Sequence, residues 1–289
     1  MGIDKKRKKI TQELETQEPI TSDPAENIAT NENLKNGNEG PDTLHPNKKK
    51  KGKVKGKEKE IAIYGNYRHY YGYRIGQGLD EDPRIKVMKK EWFEGKDCLD
   101  IGCNAGSITI SIARKFDCRS ILGIDIDDAL VKDAFWNLRR IVNMIKQKNA
   151  ATTTTKDLFD IVSFQKENFV QSAKSHENKS YHTILCLSVA KWIHLNWGDE
   201  GLITLFTKVW NLLEPGGIFI LEPQPWLSYY KNRLVSKTTQ SNYHGIKICP
   251  EQFQEILLDK IGFRTVENIS ADLPSSKSGF NRPILAFTK

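Results

Sequence analysis

From residue 97 onward, short apolar runs alternate with amphipathic segments, a pattern that predicts βα units carrying a mostly parallel sheet. The first run, Cys98–Ile101, leads through a glycine-bearing turn into a helix over Ser107–Lys115. A second strand, Ser120–Ile124, ends at Asp125. The segment Asp127–Ile145 repeats apolar residues at Leu130, Ala134, Leu138, Ile141 and Ile145, close to the helical period. Residues 146–160, with Thr152 to Thr155 in a row, read as a loop. Ile161–Gln165 and Tyr181–Leu187 are the next strands. A helix over Glu200–Leu213 stops at Glu214-Pro215-Gly216-Gly217, where proline and glycine break the period, and strand Ile218–Leu221 follows. Beyond a helix over Pro250–Ile261, Arg264–Ile269 and Pro283–Thr288 predict a final antiparallel pair. No internal repeat interrupts the series. The expectation is one α/β domain over 61–289, a Rossmann-like seven-stranded sheet with helices on both faces.

Composition separates this domain from what precedes it. Met1 to Glu60 contains no Trp, Tyr, Phe or Cys, whereas the rest holds all 6 Trp, 9 Tyr and 12 Phe. A stretch so poor in apolar surface cannot offset its conformational entropy, so residues 1–60 are expected to be a disordered, lysine-rich tail. The formal net charge is +8, with basic clusters at Lys5-Lys6-Arg7-Lys8-Lys9 and Lys48 to Lys59. Such runs suit nuclear import or attraction to phosphate backbones, and imply a nuclear address with the cytoplasm as alternative. The 5 cysteines, Cys98, Cys103, Cys118, Cys186 and Cys249, are odd in number and form no CxxC pair. No apolar run is long enough to span a membrane. The chain therefore reads as intracellular, without a membrane and without a metal site.

The chemistry begins at Leu99-Asp100-Ile101-Gly102-Cys103-Asn104-Ala105-Gly106, a strand running through a tight turn into a helix. Asp125, at the end of the following strand, can accept both ribose hydroxyls of an adenosine. A dinucleotide site wants G-x-G-x-x-G, but Asn104 holds the second glycine position, and such a site needs no Asp100. An acid two residues before the first glycine suits the cationic amino-acid end of S-adenosylmethionine instead. The Glu-Pro-Gly-Gly turn is common in sheets of that kind. On these residues the cofactor is S-adenosylmethionine, bound by Asp100, Gly102, Asn104, Gly106 and Asp125.

Five blocks, the glycine turn among them, carry a resemblance. They are Tyr64-Gly-Asn-Tyr-Arg-His-Tyr-Tyr-Gly-Tyr-Arg74, Leu99 to Asn104, Cys186 to Glu200 (with Lys-Trp-Ile-His-Leu-Asn-Trp inside it), Leu-Glu-Pro-Gln-Pro-Trp226, and Ser-Lys-Ser-Gly-Phe-Asn-Arg-Pro283. In this order, over residues 64–289, they resemble the Bicoid-interacting family of RNA methyltransferases, which includes a methylphosphate capping enzyme of small nuclear RNA. The resemblance implies methyl transfer to the γ-phosphate of an RNA 5′-triphosphate, or to a 5′-monophosphate in one branch. It places cofactor contacts on Tyr71, Arg84, Gly102, Cys103, Asn104, Asp125, Ile126, Asn168, Phe169 and Leu187. It places the reacting end of the RNA at Tyr70, Lys191 and Trp192, with Arg74, Phe280 and Arg282 holding the substrate, and it implies ribonucleoprotein partners. Ala190 departs from the threonine of the vertebrate capping enzyme.

The residues make physical sense of such a reaction. A phosphate monoester has its second pKa near ~6, so its oxygen is a nucleophile without a general base. Cations such as Arg74, Lys191 and Arg282 can hold a triphosphate, and aromatic faces can stack the first base. A lone His194 beside tryptophan reads more readily as structural than catalytic. Glu222, just past the fifth strand, would repel a triphosphate and is as well suited to shaping the loop. Two other functions stay open: an RNA-binding scaffold that stabilises a ribonucleoprotein without catalysis, and a protein or small-molecule methyltransferase. Against the second, the Asn-Pro-Pro-Tyr-like tetrad of amino-group enzymes is replaced by Leu187-Ser-Val-Ala-Lys-Trp192.

Overall fold

The computed structural model describes residues 61–68, 81–148, 157–172, 176, 179–271 and 282–289, so the expected disordered tail lies outside the described residues. Seven strands form one sheet in the order β3-β2-β1-β4-β5-β7-β6. They are β1 (Asp97–Ile101), β2 (Ser120–Asp125), β3 (Val162–Lys166), β4 (Tyr181–Leu187), β5 (Leu213–Glu222), β6 (Thr265–Asn268) and β7 (Leu285–Thr288). The first five are parallel, and β7 runs antiparallel between β5 and β6. Central strands buried on both faces need nearly continuous apolar runs, which is why they were readable in the sequence.

The helices are α1 (Pro83–Lys86), α2 (Ser107–Phe116), α3 (Asp128–Lys148), α4 (Leu158–Ile161), α5 (Ala190–Leu212), α6 (Trp226–Asn232), α7 (Lys237–Gly245) and α8 (Phe253–Ile256). One apolar layer joins Cys98 of β1 to α2, α3 and α4, and the other joins Leu99 and Ile101 to α5 and α8. Alternation along β1 assigns these faces, and it puts Asp100 on the same side as Cys98. The sheet order reverses between β1 and β4, and at such a switch point the crevice opens at the carboxyl ends of the strands. No helix among the described residues is long and apolar enough to cross a membrane.

The structure revises several elements. The expected loop 146–160 contains α4, capped by the Asp157 carboxylate on the Phe159 amide, and α3 continues past Ile145 to Lys148. The Glu214–Gly217 breaker lies inside β5, where the pairing jumps from Tyr181↔Leu213 to Thr183↔Ile218, a bulge that accommodates Gly216 at φ 76°. The helix expected from Glu200 starts at Ala190 and is kinked at Gly198, whose φ of 64° and ψ of −166° are not helical. Helices α6 and α7 were not foreseen at all. They are held by an aromatic cluster in which Trp226 stacks on Tyr229 at 5.2 Å and on Tyr243 at 5.0 Å.

Candidate active site

At the switch point lies an open cleft of about 1000 Å³. One end is made largely of backbone. The Gly102 and Cys103 amides both donate to the Ile124 carbonyl, at 2.8 and 2.9 Å, which locks the glycine turn onto β2. Gly102 has φ 74°, and a Cβ there would run into the Val189 side chain, so the position needs glycine twice over. Asn104 takes the left-handed conformation at φ 52° and directs its amide to Asp125 Oδ2 at 2.9 Å. Asp125 Oδ1 accepts the Asp127 amide at 3.0 Å. Burial pushes the Asp125 carboxyl up from its ordinary range, with these amides opposing the shift. A carboxylate has about four acceptor positions, so Asp125 retains capacity for ligand hydroxyls. Ile126, Asn168, Phe169 and Leu187 line the cleft as well.

Four residues expected at the cofactor do not line the cleft: Arg84, Asp100, Cys103 and Gly106. Asp100 faces α2, as the alternation on β1 demands, and accepts the Thr109 hydroxyl at 2.6 Å. Burial drives its carboxyl up to about 6, against the Thr109 hydrogen bond and the Arg84 charge, which favour ionisation. In this structure it braces the turn against α2. Arg84 is likewise buried, with Nη2 on Asp82 at 2.7 Å and Nη1 on Glu222 at 3.1 Å, tying α1 to the end of β5. Cys103 contributes its amide to the turn while its thiol is buried. Gly106 precedes α2 and packs against the Phe164 ring.

The other end of the cleft carries cations and a tryptophan. Lys191 and Trp192 open α5. The Lys191 Nζ donates to Ser228 Oγ at 2.8 Å and lies 4.3 Å from the centre of the Trp192 ring. The Lys191 amide donates to Gln224 Oε1 at 3.2 Å. Arg282 reaches in from the far side of the sheet and donates to Ser188 Oγ at 3.1 Å, and that hydroxyl donates to Glu222 at 2.5 Å. Glu222 is 1% exposed and turned away from the cleft, so its charge faces Arg84 and Ser188. His194 is fully enclosed between Tyr229 at 3.3 Å and Asp199 at 2.8 Å. Tyr70, Tyr71, Arg74 and Phe280 lie outside the described residues.

The sequence did not reveal who else is here. Residues 61–68 cross the cleft as a strap: Tyr64 stacks on Trp197 at 5.8 Å, and Tyr67 meets Trp192 edge-on at 6.0 Å. The Asn104 side chain donates to the Tyr67 carbonyl at 3.2 Å, and the Asn66 amide donates to Asp127 at 2.5 Å. Asn66 Oδ1 is left buried without a partner, on a residue that lines the cleft. Glu167 also lines it, held from behind by Ser172 at 2.5 Å and His176 at 3.1 Å. The sequence blocks that carry the resemblance contain the strap residues from Tyr64 onward and Gln224, whereas Glu167 and Ser228 lie outside them, and the partner of Ser228, Lys191, is 37 residues away.

Comparison with known proteins bears on this arrangement. A family model described as a methyltransferase domain matches residues 99–219, and one described as Bicoid-interacting protein 3 matches residues 181–289. A protein of Arabidopsis thaliana named "Probable RNA methyltransferase" is 56% identical over 265 residues, covering 81% of this chain and 83% of its own length. The U6 snRNA methylphosphate capping enzyme of Drosophila melanogaster is 39% identical over 233 residues, covering 78% of this chain and 74% of its own. The 7SK snRNA methylphosphate capping enzyme of Homo sapiens is 36% identical over 279 residues, covering 81% of this chain but 40% of its own length. With both family models threaded through the sheet that builds the cleft, and relatives this similar over most of the chain, the chain belongs to the Bicoid-interacting protein 3 family of methyltransferases.

Proposed function

We propose that the protein transfers the methyl group of S-adenosylmethionine to a phosphate oxygen at the 5′ end of an RNA, with the γ-phosphate of a 5′-triphosphate small nuclear RNA as the acceptor. The observation that carries this is the polarity of the cleft. Of the residues lining the cleft, Asp125 and Glu167 stand at β2 and β3, whereas Lys191 and Trp192 follow β4 and Arg282 precedes β7, on the other side of β1 in the sheet order.

The first end suits the cofactor. Asp125 has spare acceptor capacity for ribose hydroxyls, Ile126, Phe169 and Leu187 give apolar walls for a base, and Gly102 permits close approach to backbone. The buried Asn66 Oδ1 awaits a donor. When bound, S-adenosylmethionine supplies an electrophilic methyl on a cationic sulfur. Asp100, Arg84 and Gly106 support this end by holding the turn, α1 and α2 in place.

At the second end the nucleophile is already anionic, because a phosphate monoester has its second pKa near ~6. The protein therefore has to position and neutralise. Lys191, oriented by Ser228, and Arg282, oriented by Ser188, offer the charges for a polyphosphate. Trp192 offers a face for the first base, with Tyr70, Arg74 and Phe280 as further contacts from the resemblance. A catalytic base is unnecessary, in keeping with His194 being engaged by Tyr229 and Asp199. The basic tail adds non-specific attraction to RNA and a nuclear address, and ribonucleoprotein partners follow from the same reading.

Methyl-labelled cofactor incubated with one RNA carrying a 5′-triphosphate, monophosphate or hydroxyl tests the proposal. Label on the triphosphate RNA is expected. Label on the monophosphate RNA alone selects the alternative acceptor, and label on none leaves the scaffold reading.

A further inference from the structure

The face of α3 directed away from the sheet is unusual for a solvated helix surface. Trp136 is 71% exposed, the most exposed large apolar side chain among the described residues, with Phe135 next to it in the chain at 47% and Met144 about two turns further along the helix at 50%. Helical spacing puts Lys132, Asp133, Trp136, Arg139, Arg140 and Asn143 on one stripe, opposite the buried Leu130, Ala134 and Leu138. From Ala134 to Lys148 the chain contains no acidic residue. Among the described residues the ion pairs of this helix are Lys132–Asp128 at 2.6 Å and Lys146–Asp157 at 3.3 Å, and Arg139 and Arg140 pair with no carboxylate. Phe135 is steadied edge-on against Phe164 at 5.5 Å, so the aromatic part of this surface rests on the layer beneath the glycine turn.

On its stripe the indole is followed by Arg139, Arg140 and Asn143 and preceded by Lys132 and a single exposed carboxylate, Asp133, so the face is net basic. A guanidinium pair beside an exposed indole is complementary to a nucleotide, because every base has a face that stacks on an aromatic ring and every linkage carries a negative charge. We infer that the Trp136–Arg139–Arg140 face binds an unpaired nucleotide in the body of the RNA, the base stacking on Trp136 and the flanking phosphates meeting Arg139 and Arg140. This rests on the RNA substrate proposed above. Helix α3 begins just past Asp125 and Ile126 at the cleft, and Trp136 lies about 12 Å along its axis from Asp128. The helix packs on β2 and β3, whereas Lys191 and Arg282 stand at β4 and β5, roughly 14 Å away across three strand spacings. The bound nucleotide is therefore not the methylated one but one further along the strand.

The test compares wild type with Trp136→Ala and with Arg139→Glu/Arg140→Glu, on a 5′-triphosphate trinucleotide and on a long structured RNA with the same first nucleotides. Both variants are expected to raise KM for the long RNA about tenfold with kcat unchanged, and to leave turnover of the trinucleotide unaltered. Equal losses on both substrates, or none on the long RNA, would overturn the assignment. Affinity for the long RNA with a 5′-hydroxyl, read by fluorescence anisotropy, should fall by the same factor. Since that measurement needs no methyl transfer, it separates failure of this inference from failure of the proposed reaction. Unchanged anisotropy in both variants would assign the face to something other than RNA.

Discussion

Between Leu99 and Asp127 the cleft is built by neighbours in sequence, mainly through backbone: two amides on Ile124, a left-handed Asn104, and a carboxylate fixed by the amides of residues 104 and 127. At the β4–β5 end it is built by side chains brought from afar. Lys191 depends on Ser228 and Gln224, and Arg282 on Ser188, which in turn depends on Glu222 and Arg84. A backbone scaffold tolerates little change at its few constrained positions. A side-chain scaffold can be altered piecemeal, so the acceptor end is where specificity can be adjusted without loss of the cofactor.

The strongest way to break this contrast is Gly102→Val. Its φ of 74° and the collision with Val189 should distort the turn by about 3 kcal/mol or more, roughly a hundredfold loss of cofactor affinity by calorimetry. Retained affinity would mean that the backbone end is not rigid. Lys191→Met comes next: kcat should fall about a hundredfold, the scale for removing one preorganised charge contact, with cofactor affinity within a factor of three. Loss of cofactor binding in this variant would merge the two ends. Ser228→Ala, which only unpins the ammonium, should cost less than Lys191→Met, about fivefold in kcat.

Asp100 sharpens the contrast through pH. Its folded-state pKa of about 6 stands above the ordinary 3.8, so ionising it disfavours the fold. That cost, on the order of 3 kcal/mol, is fully present above about pH 6 and is relieved as pH falls toward 3.8. Asp100→Asn should therefore raise the unfolding temperature at pH 8 and have little effect near pH 4. Its cofactor affinity should stay within a few-fold, because Thr109 and not the cleft takes the carboxylate. A large loss of affinity at pH 8 would restore the sequence expectation that Asp100 meets the cofactor. The smallest effect is expected from Trp197→Ala, which removes the stack under Tyr64 and should weaken cofactor binding by about twofold to threefold.

Legibility followed the same division. The parallel strands announced themselves as continuous apolar runs, and Gly102, Asn104 and Asp125 were readable because the turn they make is local. The alternation Cys98, Leu99, Asp100, Ile101 already contained the orientation of Asp100, since it shares the face of Cys98. The position of the acid two residues before Gly102 favoured the cofactor over the core. Helices α6 and α7 were hidden because short segments such as Trp226–Asn232 gain stability from tertiary packing rather than periodicity. Glu167 and Asn66 were hidden for a related reason: one is defined by Ser172 and His176, the other by Asp127. The cations at the acceptor end were proposed from resemblance, and the partners that hold them became visible only in the folded chain.

The break at Gly198 governs the dimensions of the whole assembly. A straight helix of 23 residues would be about 34 Å long, whereas the 7 residues of β4, which leads into it and on which it packs, span about 23 Å. Unbent, it would project like an overlong rafter beyond one margin of the sheet. The fold instead cuts the rod at residue 198, and Asp199 clamps the joint by accepting the Lys247 amide at 2.9 Å while it holds His194. Both pieces stay in the interior, each along its own direction. A residue other than glycine at the joint would force a choice between burying the shaft and presenting Lys191.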